Sequence, residues 1–200
     1  MARRINNAGL DLIKSFEGLR RQAYRDSVGI WTIGYGSTSN VKAGDTITEA
    51  QASARLSADL ATAEGAVEKF ITVPLNDNHV AALVSLTFNI GAEAFRRSTL
   101  RKKLNAGDYA AVPGQLALWV KGAGKTLPGL VRRRKAEADL WNTPIISMPG
   151  SPSAAPIDAK KTAGVPELPE TPEPVPVPLP AGKRGIGGGV ALMAAFGATF

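Results

Sequence analysis

The chain has 200 residues, 44% of them hydrophobic, with a formal net charge of +7, one histidine and no cysteine. That is long enough for one domain with a real core plus appendages. It excludes disulfides, thiolate metal sites and any site that needs two imidazoles, the HExxH zinc pattern included. A Ser-His-Asp triad would have to use His79, and no GxSxG context accompanies it.

The opening, MARRINNAGLDLIKSFEG, carries charge and no continuous apolar run, so neither a signal peptide nor an anchor is expected there. A first helix is predicted after Asn7, with Leu10, Ile13 and Phe16 along one face and Gly18 at its end. Glu17 then falls on the last turn. From Gln22 to Gly36 the pattern turns to β-formers, Tyr24, Val28, Ile30, Trp31, Ile33 and Tyr35, around the turn residues DSVG. This reads as a short hairpin or a three-stranded meander. A long helix follows, with Thr48 as N-cap and Gln51 completing a capping box. Its buried stripe is Ala52, Leu56, Leu60 and Val67, and Pro74 closes the segment. Next, Asn76 caps NDNHVAALVSLTFNIG, where Val80, Leu83, Val84 and Leu86 to Phe88 are core and Gly91 is the stop. Being apolar on most sides, this helix is expected at the centre. His79 is an ordinary residue of its N-terminus. Shorter helices are predicted after Ser98 and Asp108, with Trp119 near the end of the latter. Pro128 opens a last helix, GLVRRRKAEADLW.

After Trp141 the composition changes: 11 of the 14 prolines lie between Pro144 and Pro180. Three units are expected: a folded domain over 1–144, a Pro-rich disordered linker over 145–184 and a Gly-rich apolar tail over 185–200. The tail, GIGGGVALMAAFGATF, is uncharged. As a helix it would span ~24 Å, short of the ~30 Å hydrocarbon core. A bland tail, a membrane-associating segment and a partner-docking peptide all remain open for it. Residues 1–144 hold 20 Lys/Arg against 13 Asp/Glu, and the remainder holds four of each. The excess positive charge therefore sits on the folded part, which suits nucleic acid, an anionic membrane or an acidic wall polymer.

Glu17 at a helix end and Asp26 on a β segment can look into one cleft from two sides and in different surroundings. Glycoside hydrolysis uses such a pair, one carboxyl protonated and one ionised. Thr32, among apolar neighbours, has a hydroxyl suited to holding the water that Asp26 would deprotonate. Taken singly, these residues also read as a surface charge, a turn aspartate and a strand former.

The run FEG-x8-D-x5-T, with WTIGYG around the threonine, closely resembles the T4-type phage lysozyme (endolysin) family of glycoside hydrolases. The similarity continues through VKAGDTITEAQA, ALVSLTFNIG, STLRKKLNAGDY and GLVRRRKAEADLW, about residues 5–142. The resemblance implies a mainly α (α+β), lysozyme-like fold of two lobes. A small N-terminal lobe with a β-sheet is joined by a long helix to a C-terminal helical lobe, and a Pro-rich tail follows. It implies hydrolysis of the β-1,4 bond between N-acetylmuramic acid and N-acetylglucosamine in peptidoglycan, with inversion and without metal or organic cofactor. Glu17 would be the general acid, Asp26 the general base or electrostatic partner and Thr32 the water holder. Gly36, Thr38, Phe88 and Ser98 are candidate glycan contacts, with core packing the leading role for Phe88. Arg133 is the choice among Arg132, Arg133 and Arg134 to pair with Glu17, and a solvated face is expected for at least two of the three. Relatives often carry His where Ser37 stands, a difference that bears on local stability more than on activity.

The implied protein is a monomeric muramidase of a phage or prophage that bursts its host and binds no nucleic acid. It would stay in the host cytoplasm until lysis and then act in the periplasm and wall. Access would need a separate pore-forming protein, and residues 185–200 are the candidate membrane contact or tether. Two alternatives stand beside it: a lytic transglycosylase on the same bond, and a non-enzymatic cationic protein that disrupts membranes.

Overall fold

The computed structural model describes residues 3–26 and 28–144. The linker and tail expected over 145–184 and 185–200 lie outside the described residues. Helix α1 (Asn7–Glu17) starts one residue earlier than the pattern suggested, because Asn6 is the cap: its side chain accepts from the Gly9 amide at 2.9 Å. Gly18, at φ 70, ends the helix and turns the chain into β1 (Arg20–Arg25). Strand β1 pairs antiparallel with β2 (Trp31–Gly34), Tyr24 opposite Thr32 and Arg25 opposite Trp31. A third edge forms on the other side of β1, where Gln22 bridges Thr46 and the Ile47 amide donates to the Arg21 carbonyl. The sheet is thus a hairpin with a short extra segment, ordered differently from a meander. At the end of β2 and just beyond it, Gly34 and Gly36 take φ 68 and 95, and Ile33 and Ser37 exchange both backbone hydrogen bonds. A residue with a Cβ is strained at such angles, which is why the sequence reads IGYGS there.

Helix α2 (Glu49–Phe70) leaves the sheet through the predicted capping box: Gln51 N donates to Thr48 Oγ1 at 3.2 Å, and Thr48 N to Gln51 Oε1 at 2.9 Å. Its apolar stripe packs on α3 (Asp77–Ile90), which Asn76 caps through the His79 amide. Residues Asn78 to Thr87 are all buried, so α3 is the axis around which the rest is laid. Helix α1 crosses it so closely that a Cβ on Gly9 would stand 2.6 Å from Ala81 Cβ. Gly91 ends α3 and begins α4 (Ala92–Arg97), a helix the pattern did not anticipate. Then come α5 (Thr99–Asn105), a 3-10 turn at Tyr109–Ala111 and α6 (Val112–Leu116). Trp119 lies beyond α6, outside the helix expected to contain it. A small hairpin, β3 (Lys121–Gly122) with β4 (Lys125–Thr126), delivers the chain to α7 (Pro128–Asn142). This last helix packs on α3, α6 and α1. The expected two-lobed, mainly helical architecture is therefore present.

Candidate active site

Glu17 is the last residue of α1, where that helix packs against α7. Its side chain keeps only 9% of its surface, and Arg133 on α7 donates to Oε1 at 2.6 Å. Among the described residues no hydrogen bond is formed to Oε2. The Arg133 side chain is 5% exposed and lies over the Phe16 ring, 5.7 Å from its centroid. A charge-assisted pair this short and this shielded holds the carboxyl in one orientation.

Asp26 sits at the tip of the β1–β2 hairpin. Its Oδ1 accepts from the amides of Val28 at 3.0 Å and Ile30 at 2.8 Å. The aspartate expected as a turn residue is indeed one, and the turn fixes its carboxyl while leaving it half-buried. Val28 and Ile30 beside it expose apolar side chains, 76% and 50% respectively. Tyr24 lies on the same hairpin, opposite Thr32. Burial raises its phenol above the usual value; Arg20 opposes this, and the charges of Asp26 and Glu17 add to it. This phenol feels the charge of both carboxylates, and the sequence pattern gave it no role beyond strand formation.

Thr32 departs from expectation. It has no exposed surface, and its hydroxyl donates to the Ile30 carbonyl at 3.2 Å. Gly36 and Thr38 are half-buried on the turn after β2. Ser37, between them, is buried, and its hydroxyl contributes to holding the half-buried Asp59 carboxyl of α2. Burial is the larger effect on Asp59 and pushes it up. Phe88 is half-buried and packs against the core, as its leading reading had it. Ser98 is buried; its hydroxyl donates to the Phe95 carbonyl at 2.7 Å and accepts from the Arg101 amide at 3.1 Å, so it caps α5. Those two bonds occupy the hydroxyl that was a candidate glycan contact. The arginine run also needs correcting: only Arg132 is solvated, while Arg133 and Arg134 are both buried.

An acid-bearing helix end, a guanidinium across from it and a carboxylate on a two-stranded hairpin define the class: a two-lobed glycosidase-type fold. A phage lysozyme family model matches residues 14–137. The endolysin of Acyrthosiphon pisum secondary endosymbiont phage 1 is 46% identical over 143 residues, 70% of this chain and 98% of that one. The endolysin of Salmonella phage P22 is 42% identical over 142 residues, 68% of this chain and 97% of that one. Among solved structures, the muramidase domain of SpmX from Asticaccaulis excentricus is 40% identical, with a TM-score of 0.67 over 70% of this chain and 99% of that one. The chain belongs to the phage lysozyme family and is a glycoside hydrolase of the lysozyme class.

Proposed function

We propose that this lysozyme is an endolysin-type muramidase that hydrolyses the β-1,4 bond between N-acetylmuramic acid and N-acetylglucosamine, with Glu17 as general acid. The observation that supports the reading is the grip of Arg133 on one oxygen of Glu17, which leaves the other oxygen without a hydrogen-bond partner among the described residues; that oxygen would face the glycan. Glu17 would give its proton to the leaving glycosidic oxygen. Asp26, held by two backbone amides, would take a proton from the water that attacks the opposite face of the sugar. Such an attack inverts the anomeric centre. Thr32, whose hydroxyl donates to the Ile30 carbonyl, would offer its lone pairs to that water. Gly36 and Thr38 would line the hairpin side of the cleft, and the exposed Val28 and Ile30 would meet apolar faces of the glycan strand.

Peptidoglycan is the substrate proper to the family. The net charge of +7 would draw the enzyme to an anionic wall, an attraction that salt screens. In this reading the enzyme is a monomer, waits in the host cytoplasm, reaches the wall through a pore made by another protein and meets membranes through residues 185–200. Among the described residues no helix is long and apolar enough to cross a membrane. Digestion of purified peptidoglycan, with mass analysis of the products, tests the reaction. Hydrolysis yields new reducing ends; an anhydro product lighter by one water would mean a transglycosylase, and no cleavage would leave the non-enzymatic alternative.

A further inference from the structure

The ion pair that holds Glu17 continues behind Arg133. One turn along α7, Glu137 places Oε1 3.4 Å from Arg133 Nε. Glu137 is completely buried. The same Oε1 accepts from the Ser85 hydroxyl of α3 at 2.7 Å and from Arg134 Nη2 at 3.2 Å, and Arg134 Nε stands 3.1 Å from Oε2. Arg134 also donates to Asn89 Oδ1 at 2.8 Å. Three donors converging on one oxygen mark a carboxylate. Two carboxylates and two guanidiniums thus run in a row from Glu17 into the core, and their charges cancel.

Stability alone does not call for such a row, since apolar side chains of similar volume often serve a core as well or better. Burial pushes the Glu137 carboxyl up, while Arg134 and then Arg133 pull it back. Burial brings Arg134 down to about 10, which leaves it charged at neutral pH. The neighbouring elements add no further charge: α3 presents Ser85 and Asn89, and α6 (VPGQL) has no ionisable side chain. On α1, Glu17 is reached only through Arg133, and Lys14 lies over the Tyr35 ring instead. His79, near the N-terminus of α3, stacks on Trp141.

We infer that Glu137 is a positioning residue for the acid: from behind, it fixes Arg133 so that one guanidinium nitrogen meets Glu17 and the guanidinium charge is divided between two carboxylates. The inference rests on Glu17 being the acid. A guanidinium facing one carboxylate favours the ionised form strongly; shared between two, it favours each less. An acid must keep its proton until the leaving oxygen takes it, so the charge at position 137 governs how far up in pH the enzyme works.

The test is the pH dependence of kcat/KM, at fixed ionic strength, for wild type, Glu137→Gln, Arg134→Met and the double variant, each with a thermal unfolding curve. Removing the Glu137 charge moves the basic limb about one and a half pH units lower, the size expected for a unit charge roughly 8 Å away at an effective dielectric of ~20. Arg134→Met moves the limb higher, and the double variant, with charge balance restored, returns near wild type although less stable. Ser85→Ala lowers stability and leaves the limb in place. A basic limb that stays put in both charge variants while unfolding temperatures fall would reduce Glu137 to a structural residue and overturn the inference. If Glu137→Gln does not fold, Arg134→Met and the double variant still decide. Titration of the Glu17 carboxyl by carbon-13 NMR must give the same order of midpoints, a readout that needs no turnover. Activity retained by Glu17→Gln would sink the acid assignment, whereas a correct acid with an unmoved titration would sink only the role of Glu137.

Discussion

His79 should make the fold sensitive to mild acid. It is the chain's one histidine, sits in the first turn of α3 and stacks on Trp141 with ring centroids 3.9 Å apart and planes 18° from parallel. Burial lowers its imidazole from the ordinary 6.5 to about 4. The neutral ring fits the fold and the charged ring does not. The stabilisation is therefore fully present above pH 6.5 and is lost as pH falls toward 4. The gap of 6.5 minus 4, at about 1.36 kcal/mol per unit, sets an upper bound of roughly 3.4 kcal/mol. Discounted for a ring at the margin of the core, about 1–2 kcal/mol remains. Urea unfolding of wild type and His79→Phe, which keeps the stack and removes the titration, isolates this amount from the carboxylates that also titrate below pH 5. Above pH 7 the stability difference should be constant; by pH 4 it should swing against wild type by ~1–2 kcal/mol. A difference that stays flat over that range, with the single imidazole NMR signal titrating near 6.5, would refute the reasoning.

Three further outcomes are expected. Tyr24→Phe, which removes the hydroxyl of a half-buried phenol in the field of Glu17 and Asp26, should reduce kcat several-fold with less than ~1 kcal/mol change in stability; unchanged kcat would detach Tyr24 from the site. Ser98→Ala should cost about 0.5–2 kcal/mol of stability through the lost cap of α5 and leave KM as it is; a raised KM would return Ser98 to the glycan. Asp59→Asn should stabilise the protein at neutral pH and do nothing at pH 3, because a carboxyl pushed up by burial contributes stability below its unfolded value and loses it as pH rises. Equal unfolding temperatures for Asp59→Asn and wild type at pH 7 would contradict that account.

Much of the fold was legible because its boundaries are chemical. Asn76, Thr48 with Gln51, Gly18 and Gly91 act where their side chains, or the lack of one, place them. Helix α4 was missed because six residues, AEAFRR, are too few to show a period. The β3–β4 hairpin was missed because its turn uses Ala123 at φ 48, a conformation that alanine gives no sign of adopting. The arginine run was misjudged for a tertiary reason. Nothing local distinguishes Arg132 from Arg134; the difference comes from Ser85 and Asn89 on a helix some fifty residues earlier, and from Glu137 sharing the buried face. Thr32, expected to hold a water, lies in β2 with no exposed surface, and that burial depends on how the hairpin closes over it. Of the site itself, the spacing of Glu17, Asp26 and Thr32 was visible, as was the arginine that meets Glu17. The charges behind that arginine were not.

The most direct measurement is turnover of defined muropeptide oligomers by Glu17→Gln beside wild type, with circular dichroism to check the fold. The account predicts a loss of about a thousandfold or more with the helical spectrum intact. Cleavage within tenfold of wild type by a folded variant would contradict it.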